Sequence, residues 1–271
     1  MRRLYFLGPK GTYSEIAAKK ISRILGEDIV FEEISTIPKI VDLLNKNSSA
    51  FGVLPIENSI EGIVRPSIDA LYAANVKIRA QIDVKIEHCL FSKGRKENIK
   101  HIISHPQALA QCCGYILENF DSRIDLIEAN STAAAANELT AKNITYAAIA
   151  SFDLGQKLGL NLLDVNIGDV KDNKTRFVLA SKTPVDLGRE TRTSIVFNTK
   201  NEPGALLKIL QIFNKYNLNL IYLESRPSKK VFGEYNFFAD IDKGVSEIAL
   251  ALSEVERECN FYKLLGSYPS V

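Results

Sequence analysis

The chain has 271 residues, of which 46% are hydrophobic and 24% are charged. This length predicts two domains, and the composition is typical of a globular protein that buries a full core without disulfides or metal. The formal net charge is +2, and no apolar run approaches the roughly 20 residues that span a bilayer, so we expect neither nucleic-acid nor membrane binding.

The N-terminus, the cysteines and the histidines argue against several special classes of protein. The apolar run at residues 4–7 is shorter than the roughly 7–15 apolar residues of a signal peptide. Neither the four cysteines nor the three histidines have a metal-ligand spacing such as CxxC or HxxxH. We therefore expect a reduced, cytoplasmic protein with no metal and no organic cofactor.

Short strands and helices alternate over residues 1–182. Strands are predicted at 3–7, 29–34, 50–55, 76–90, 101–104, 125–129, 146–150 and 175–181. Helices are predicted at 12–24, 38–44, 67–74, 105–120, 131–142 and 151–158. Repeated βα units form parallel or mixed sheets that bind ligands at the carboxyl ends of strands, so we expect an α/β domain with its site there.

A change of composition separates this domain from a second one. Residues 183–192 are polar, contain Pro184 and Gly188 and have no periodic apolar face, so they are predicted to form a linker. Beyond the linker, strands at 193–198, 218–225, 231–241 and 261–267 alternate with helices at 204–216 and 245–257. This βαββαβ order predicts a ferredoxin-like domain over residues 193–271.

Polar motifs follow several predicted strands. GPKGTYSE, from Gly8, opens a helix whose free N–H groups suit an anion, although an ordinary capped turn is the simpler interpretation of this motif alone. PIENSIEG, from Pro55, puts two carboxylates and an amide in one turn, which suits acid, base or amine-anchoring chemistry or a solvated loop. In SHPQALAQC, Ser104 is a potential N-cap, and Gln107 and Gln111 share a helix face.

The motif NKTRF carries Arg176 where a loop meets a buried strand. A buried guanidinium is costly unless it is paired. A ligand carboxylate is the partner we expect, because a guanidinium binds carboxylates through two parallel hydrogen bonds. A salt bridge to a protein carboxylate is the alternative.

Together these segments resemble prephenate dehydratase with a C-terminal ACT regulatory domain. The motifs GPKGTYSE, PIENSIEG, SHPQALAQC, STAAAA and NKTRF stand in the family's order, and PGALLKIL, ESRPSK and LGSYP resemble its regulatory half. Each motif alone is weak, but eight in order are highly specific. Asn130, just before STAAAA, departs from relatives that carry a carboxylate there. The resemblance implies a monofunctional enzyme without the fused chorismate mutase of some relatives.

The resemblance also implies a fold and its boundaries. The catalytic domain over residues 1–182 would be shaped like a type II periplasmic binding protein, with two α/β lobes around a cleft. Lobe one is expected at residues 1–77 and 160–182, and lobe two at 78–159. The linker at 183–192 and the ACT domain at 193–271 would follow.

The reaction implied is the conversion of prephenate to phenylpyruvate, water and carbon dioxide, which needs no cofactor because loss of two ring substituents makes the ring aromatic. Arg176 is expected to grip a substrate carboxylate, Thr175 to hydrogen-bond the leaving hydroxyl, and Glu57 to supply a proton from a raised pKa. The other residues expected to contact substrate are Thr12, Asn58, Ser104, Gln107, Gln111, Ser131 and Phe177.

Feedback regulation by phenylalanine is implied for the ACT domain, which pairs with a second copy in the family and suggests a homodimer or homotetramer. The expected phenylalanine-binding residues are Asn201, Gly204, Ala205, Leu206, Glu224, Ser225 and Arg226. Gly204 permits a close approach at a helix start, whose N–H groups suit a carboxylate. Arogenate dehydratase and a non-catalytic amino-acid-sensing protein are the alternatives, and the intact residues Thr175 to Phe177 argue against the second.

Overall fold

The computed structural model describes residues 1–228 and 233–271. Over the first half of the catalytic region the elements are β1 (Arg2–Leu7), α1 (Tyr13–Leu25), β2 (Ile29–Ile34), α2 (Ile37–Lys46), β3 (Phe51–Asn58), β4 (Gly62–Ile63), α3 (Arg65–Ala73) and β5 (Lys77–Lys85). Next come β6 (Cys89–Ser92), a 3₁₀ turn (Lys96–Asn98), β7 (His101–Ser104), α4 (Pro106–Gln111), α5 (Cys113–Asn119), β8 (Asp125–Glu128), α6 (Thr132–Leu139), β9 (Tyr146–Ala150), α7 (Phe152–Lys157), β10 (Asn161–Asp164) and β11 (Lys174–Ser181).

Two mixed sheets divide these elements into two lobes, as the fold prediction required. The first sheet has the order β2-β1-β3-β11-β5, with β4 beside β3, and the second has the order β10-β6-β9-β7-β8. The strand pairing corrects both expected lobe boundaries: β5 belongs to lobe one, and β10 belongs to lobe two. The chain therefore crosses between the lobes at 86–88 and 165–173, where Ile86 N–H donates to Asn173 O (2.8 Å) and Ile167 N–H donates to His88 O (2.8 Å).

The single helix predicted at 105–120 is divided into α4 and α5. Cys112, at the junction, has φ −116° and ψ 14°, outside the helical region. The Asp169 carboxylate accepts hydrogen bonds from the backbone N–H groups of Gly114 (3.0 Å) and Tyr115 (3.2 Å), so it caps the second helix. A cap supplied by a residue more than 50 positions away leaves no local signal in the sequence.

A four-stranded domain follows, with β12 (Arg192–Asn198), α8 (Ala205–Lys215), β13 (Leu220–Pro227), β14 (Tyr235–Ile241), α9 (Val245–Glu258) and β15 (Phe261–Tyr268). Its sheet order, β13-β14-β12-β15, is antiparallel throughout. The predicted βαββαβ order is confirmed. The start predicted for β14, at residue 231, lies outside the described residues. Among the described helices, none is long and apolar enough to cross a membrane.

The C-terminal domain packs tightly against lobe one. Val196, Phe238 and Leu265 share one hydrophobic cluster with residues of α2, α3 and β5. The ammonium of Lys263 donates to the carbonyls of Leu71 (3.0 Å) and Ala74 (2.6 Å), two of the orphan acceptors at the end of α3. The last residues pair with β5 through Gln81, whose N–H donates to Pro269 O (3.0 Å) and whose carbonyl accepts from Val271 N–H (3.0 Å).

Gly266 of β15 packs directly against Ile78 of β5, and its substitution tests this packing. A Cβ added there would lie 2.4 Å from Ile78 O, whereas one added at Gly168 would lie no closer than 3.7 Å to any neighbour. We expect Gly266→Ala to lower the free energy of unfolding by about 1–3 kcal/mol, since overpacking displaces backbone. We expect Gly168→Ala to change it by less than about 0.5 kcal/mol. Urea unfolding of both variants measures this, and equal stability for the two would contradict the docking described.

Candidate active site between the lobes

A cavity of about 280 Å³ lies between the two lobes at the ends of their strands. Lobe one contributes Leu7, Gly8, Thr12, Tyr13, Ser14, Asn58 and Thr175, and the first crossing segment contributes Ile86 and His88. Lobe two contributes His105, Gln107, Ala108, Gln111, Asn130, Ser131 and Thr132. The motifs that follow strands in the sequence therefore meet in one place, because both sheets turn the same ends toward the cleft.

The cavity brings together six of the residues expected at the substrate site: Thr12, Asn58, Gln107, Gln111, Ser131 and Thr175. Thr12 and Ser131 occupy equivalent positions, as the N-caps of α1 and α6. Gln107 and Gln111 extend from α4, which starts directly after β7. Short polar loops at strand ends thus supply most of the lining.

A buried hydrogen-bond network orients the Thr175 hydroxyl. The Asn58 amide Nδ2 donates to Thr175 Oγ1 (3.0 Å) and to Asn173 Oδ1 (2.7 Å). Asn173 Nδ2 donates in turn to Gln111 Oε1 (3.0 Å) in lobe two. Because Thr175 Oγ1 accepts from Asn58, its own O–H hydrogen stays available to donate into the cavity.

His88 completes this network at the crossing between the lobes. Its Nε2 lies 3.0 Å from Gln111 Oε1. Since that oxygen is an acceptor, Nε2 carries the hydrogen, and Nδ1 is left without a hydrogen-bond partner among the described residues. Burial lowers the pKa of His88, and the hydrogen bond with Gln111 opposes this only partly. The imidazole is therefore neutral at pH 7 and presents a lone pair on Nδ1.

Electropositive character in the cavity comes from backbone rather than from charged side chains. Its lining residues include no Asp, Glu, Lys or Arg. Helices α1 and α6 begin at its wall, one from each lobe. The N–H groups of the first two residues of a helix have no partner inside the helix and form an anion site with the helix dipole. Tyr13 and Ser14 supply them in α1, and Thr132 and Ala133 supply them in α6.

Arg176 and Glu57 lie on the opposite side of the sheet from the cavity, which corrects two expectations. Arg176 Nη1 lies 2.6 Å from Asp240 Oδ2 in the C-terminal domain, and Nη2 lies 3.1 Å from Glu57 Oε2. The guanidinium is thus paired with protein carboxylates, which is the alternative that the sequence left open. Burial alone lowers the pKa of Arg176, and the attraction of Asp240 more than reverses this, so the pKa lies above its ordinary value.

The reason is the alternation of side chains along a strand. In β11, Thr175 faces the cleft, so its neighbour Arg176 must face away. The paired strand β3 repeats the arrangement, because Thr175 is in register with Asn58, and Arg176 with Glu57. Glu57 therefore faces away from the cavity, although it was expected to supply a proton there.

Ser104 and Phe177 were also expected at the site and lie outside the cavity lining. Ser104 is fully buried, and its hydroxyl donates to Ile149 O (2.8 Å) within the second sheet. Phe177 belongs to the hydrophobic core between the first sheet and α1. Both side chains support the site from behind and do not reach a ligand.

The residues expected to bind phenylalanine are divided between two faces of the C-terminal sheet. Gly204, with φ +81°, caps α8 ahead of Ala205, and Ser225 is paired with Phe237 on the face that α8 covers. Glu224 and Arg226 point the other way, toward lobe one, where Arg226 Nη2 lies 3.2 Å from Asp69 Oδ2. Because side chains alternate along β13, Glu224, Ser225 and Arg226 cannot all face the same binding site.

Several cavity residues were not expected from the sequence. His105 opens α4, where its Nδ1 accepts from Gln107 N–H (3.3 Å), and it also lines the cavity. His88 lies at the end of a predicted extended segment and gave no signal beyond its residue type. Asn173 lies behind Asn58 and does not itself line the cavity. It contacts Asn58 and Gln111 because the second crossing between the lobes brings these residues together, and the sequence alone does not show that crossing. Among the described residues, no cluster of three or more potential metal ligands occurs.

Comparisons with known proteins identify the family. Residues 4–185 match the prephenate dehydratase family, and residues 193–259 match the ACT domain. The chain belongs to the prephenate dehydratase family. It is 40% identical to the prephenate dehydratase of Methanocaldococcus jannaschii over 96% of both chains. Members with this name are lyases, and the motifs that resembled the family are thereby confirmed.

Two solved structures share the whole fold of this family member. A prephenate dehydratase from Arthrobacter aurescens in complex with L-Phe is 30% identical, with a TM-score of 0.86 over 98% of this chain and 90% of that chain. A structure described as GqqA, a novel type of quorum quenching acylase, is 27% identical, with a TM-score of 0.86 over 100% of this chain and 98% of that chain. The same fold thus carries two described activities.

Substitutions at Thr175 distinguish the contribution of its hydroxyl group from that of its side-chain volume. Thr175→Val keeps the shape but cannot hydrogen-bond, so we expect kcat for dehydration of prephenate to fall roughly 100-fold or more, while KM changes little. Thr175→Ser keeps the hydroxyl and serves as the matched control, with kcat expected within about tenfold of the unsubstituted protein. Steady-state kinetics decides the matter: a fully active Thr175→Val variant would exclude a role for this hydroxyl in the reaction.

Proposed function

We propose that this protein converts prephenate to phenylpyruvate, water and carbon dioxide. The observation that carries the proposal is the cavity between the lobes, where the Asn58 amide turns the Thr175 hydroxyl toward a space faced by two helix N-termini. Prephenate carries two carboxylates, and the uncharged lining with oriented N–H groups suits a dianion that must lose one of them. Membership of the prephenate dehydratase family supports the same conclusion.

The reaction balances without a redox partner. The electron pair of the bond to the ring carboxylate moves into the ring as carbon dioxide leaves, and the ring expels its hydroxyl group on the opposite carbon. A proton converts that group to water, and the ring becomes aromatic. A hydrogen bond from Thr175 to the departing oxygen strengthens as negative charge develops there, which lowers the barrier. A threonine hydroxyl is too weak an acid to supply the net proton.

The persistent carboxylate of the pyruvyl side chain needs a separate anchor. It lies at the end of the ring opposite the leaving hydroxyl, so with Thr175 in lobe one the anchor belongs in lobe two. The N-terminus of α6 fits this role, since Ser131 caps it by accepting from Ala134 N–H (2.9 Å) and the N–H groups of Thr132 and Ala133 are left for an anion. Contacts from both lobes favour closure over the substrate, which excludes water.

We also propose that phenylalanine inhibits the enzyme by binding to the ACT domain, since the Arthrobacter aurescens relative was solved with L-Phe. The start of α8 at Gly204 and Ser225 on the same face of the sheet would receive it. β13 is an edge strand whose Ile221 and Leu223 are exposed, so a second copy is the natural partner and a homodimer or homotetramer is expected. The four free cysteines, with Cys113 exposed, support a reducing, cytoplasmic location.

Arogenate is the alternative substrate, differing from prephenate by an amino group in the side chain. Hydrolysis of an acylated amine is a second alternative, because a structure of this fold is described as an acylase. Such hydrolysis uses a nucleophile paired with a base. Within residues 1–228 and 233–271, no hydroxyl of the cavity is hydrogen-bonded to a histidine or a carboxylate: Thr12 donates to Leu7 O (3.2 Å), and Thr175 accepts from Asn58. This arrangement favours dehydration.

The deciding experiment presents prephenate, arogenate and an N-acylated amine to the purified protein in parallel. We expect kcat/KM for prephenate, followed by the ultraviolet absorbance of phenylpyruvate, to exceed that for the other two by about tenfold or more. Addition of phenylalanine should lower the prephenate rate, and exhaustive chelation should leave it unchanged. A protein that turned over only arogenate or only the N-acylated amine would contradict the proposal.

A further inference from the structure

The ion pair between Arg176 and Asp240 joins the residue next to Thr175 to the regulatory domain. Arg176 and Asp240 each expose only 8% of their side chain, and Nη1 and Oδ2 are 2.6 Å apart. Arg176 also contacts Glu57 at 3.1 Å, so one guanidinium connects β11, β3 and β14. Charged groups this deeply buried are costly to separate, because water does not replace the lost partner. Arg192, whose Nη1 lies 4.0 Å from Asp240 Oδ2, adds a second positive charge near the carboxylate.

Asp240 is held rigidly within the C-terminal sheet. Its Oδ1 accepts from the Ser194 hydroxyl (2.5 Å), and that hydroxyl lies 2.6 Å from the Tyr268 hydroxyl. These three residues belong to β14, β12 and β15. A movement of the C-terminal sheet therefore moves the Asp240 carboxylate and, through the ion pair, the Arg176 side chain.

The backbone of β11 is irregular at this point, which makes it sensitive to such a movement. The pairing of β11 with β3 shifts register between Arg176 and Phe177. Register shifts of this kind redirect neighbouring side chains and are common beside active sites. Thr175, the residue before Arg176, accepts a 3.0 Å hydrogen bond from the Asn58 amide, and this hydrogen bond sets the direction of its hydroxyl.

We propose that Arg176 is a positioning residue whose ion pair with Asp240 holds Thr175 in register with the cavity, and that the ACT domain acts on catalysis by moving this pair. The inference rests on the proposed dehydratase function and adds the route of its regulation. A ligand changes activity only if it binds one arrangement of the two domains more tightly than the other. The arrangements would differ in the position of Asp240, which contacts β11 through Arg176.

The interface contains a second ion pair, which provides a matched control. Arg226 of β13 lies 3.2 Å from Asp69 of α3, an element that contributes no side chain to the cavity. Asp69→Asn and Asp240→Asn each remove one negative charge from the interface between the domains and change the shape of the side chain little. Only Asp240 is joined directly to β11.

The test measures kcat, KM and phenylalanine inhibition of the full-length Asp240→Asn and Asp69→Asn proteins, with thermal unfolding recorded for each. For Asp240→Asn we expect kcat to fall about tenfold or more and KM to stay within about twofold. The phenylalanine concentration for half inhibition should rise by about fivefold or more. For Asp69→Asn we expect kcat within about twofold of the unsubstituted protein.

Unchanged kcat in folded Asp240→Asn would overturn the inference, and so would an equal loss in Asp69→Asn, which would indicate general loosening of the interface. If Asp240→Asn does not fold, Arg176→Lys decides: a lower kcat with unchanged KM supports positioning, whereas a raised KM would mean that Arg176 contacts substrate. An unsubstituted protein inactive on prephenate would instead refute the proposed function and not the coupling.

Discussion

The alternation of side chains along β11 is the constraint on which the rest of the structure depends. Thr175 faces the cavity between the lobes, and the next residue, Arg176, faces the C-terminal domain. In β3 the paired residues Asn58 and Glu57 divide in the same way. One face of two neighbouring strands therefore lines the cavity, and the other carries a buried ion pair to a second domain.

The cavity achieves its character through neutral groups. Amide side chains connect Thr175 in lobe one to Gln111 in lobe two, and Asn173 bridges them from the second crossing of the chain. Each amide has a defined donor and acceptor, so the direction of the Thr175 hydroxyl follows from the whole network. In the proposed function, helix N-termini would attract the anionic substrate without placing a countercharge beside the carboxylate that has to leave, and such a countercharge would stabilise the ground state.

Much of the cavity lining was predictable, because βα units bring strand ends together and the family resemblance had singled out Thr12, Asn58, Gln107, Gln111, Ser131 and Thr175 in the motifs near those ends. The βαββαβ order was predictable from short periodic segments, whereas the two-lobed shape of the catalytic domain came from the family resemblance. The errors also have physical causes. Arg176, Glu57, Glu224 and Arg226 were grouped with their sequence neighbours, although a strand sends neighbours to opposite faces. The partner of Arg176 lies 64 residues away in another domain, and no local pattern reveals such a contact.

A crystal structure with phenylpyruvate or a non-reactive prephenate analogue in the cavity tests the central claim most directly. We expect the side-chain carboxylate within hydrogen-bond distance of the backbone N–H groups of Thr132 and Ala133, with the other end of the ring toward the Thr175 hydroxyl. Arg176 would remain paired with Asp240 and would not touch the ligand. A ligand carboxylate bound by Arg176, with Asp240 released, would contradict the division of β11 into a catalytic face and a regulatory face.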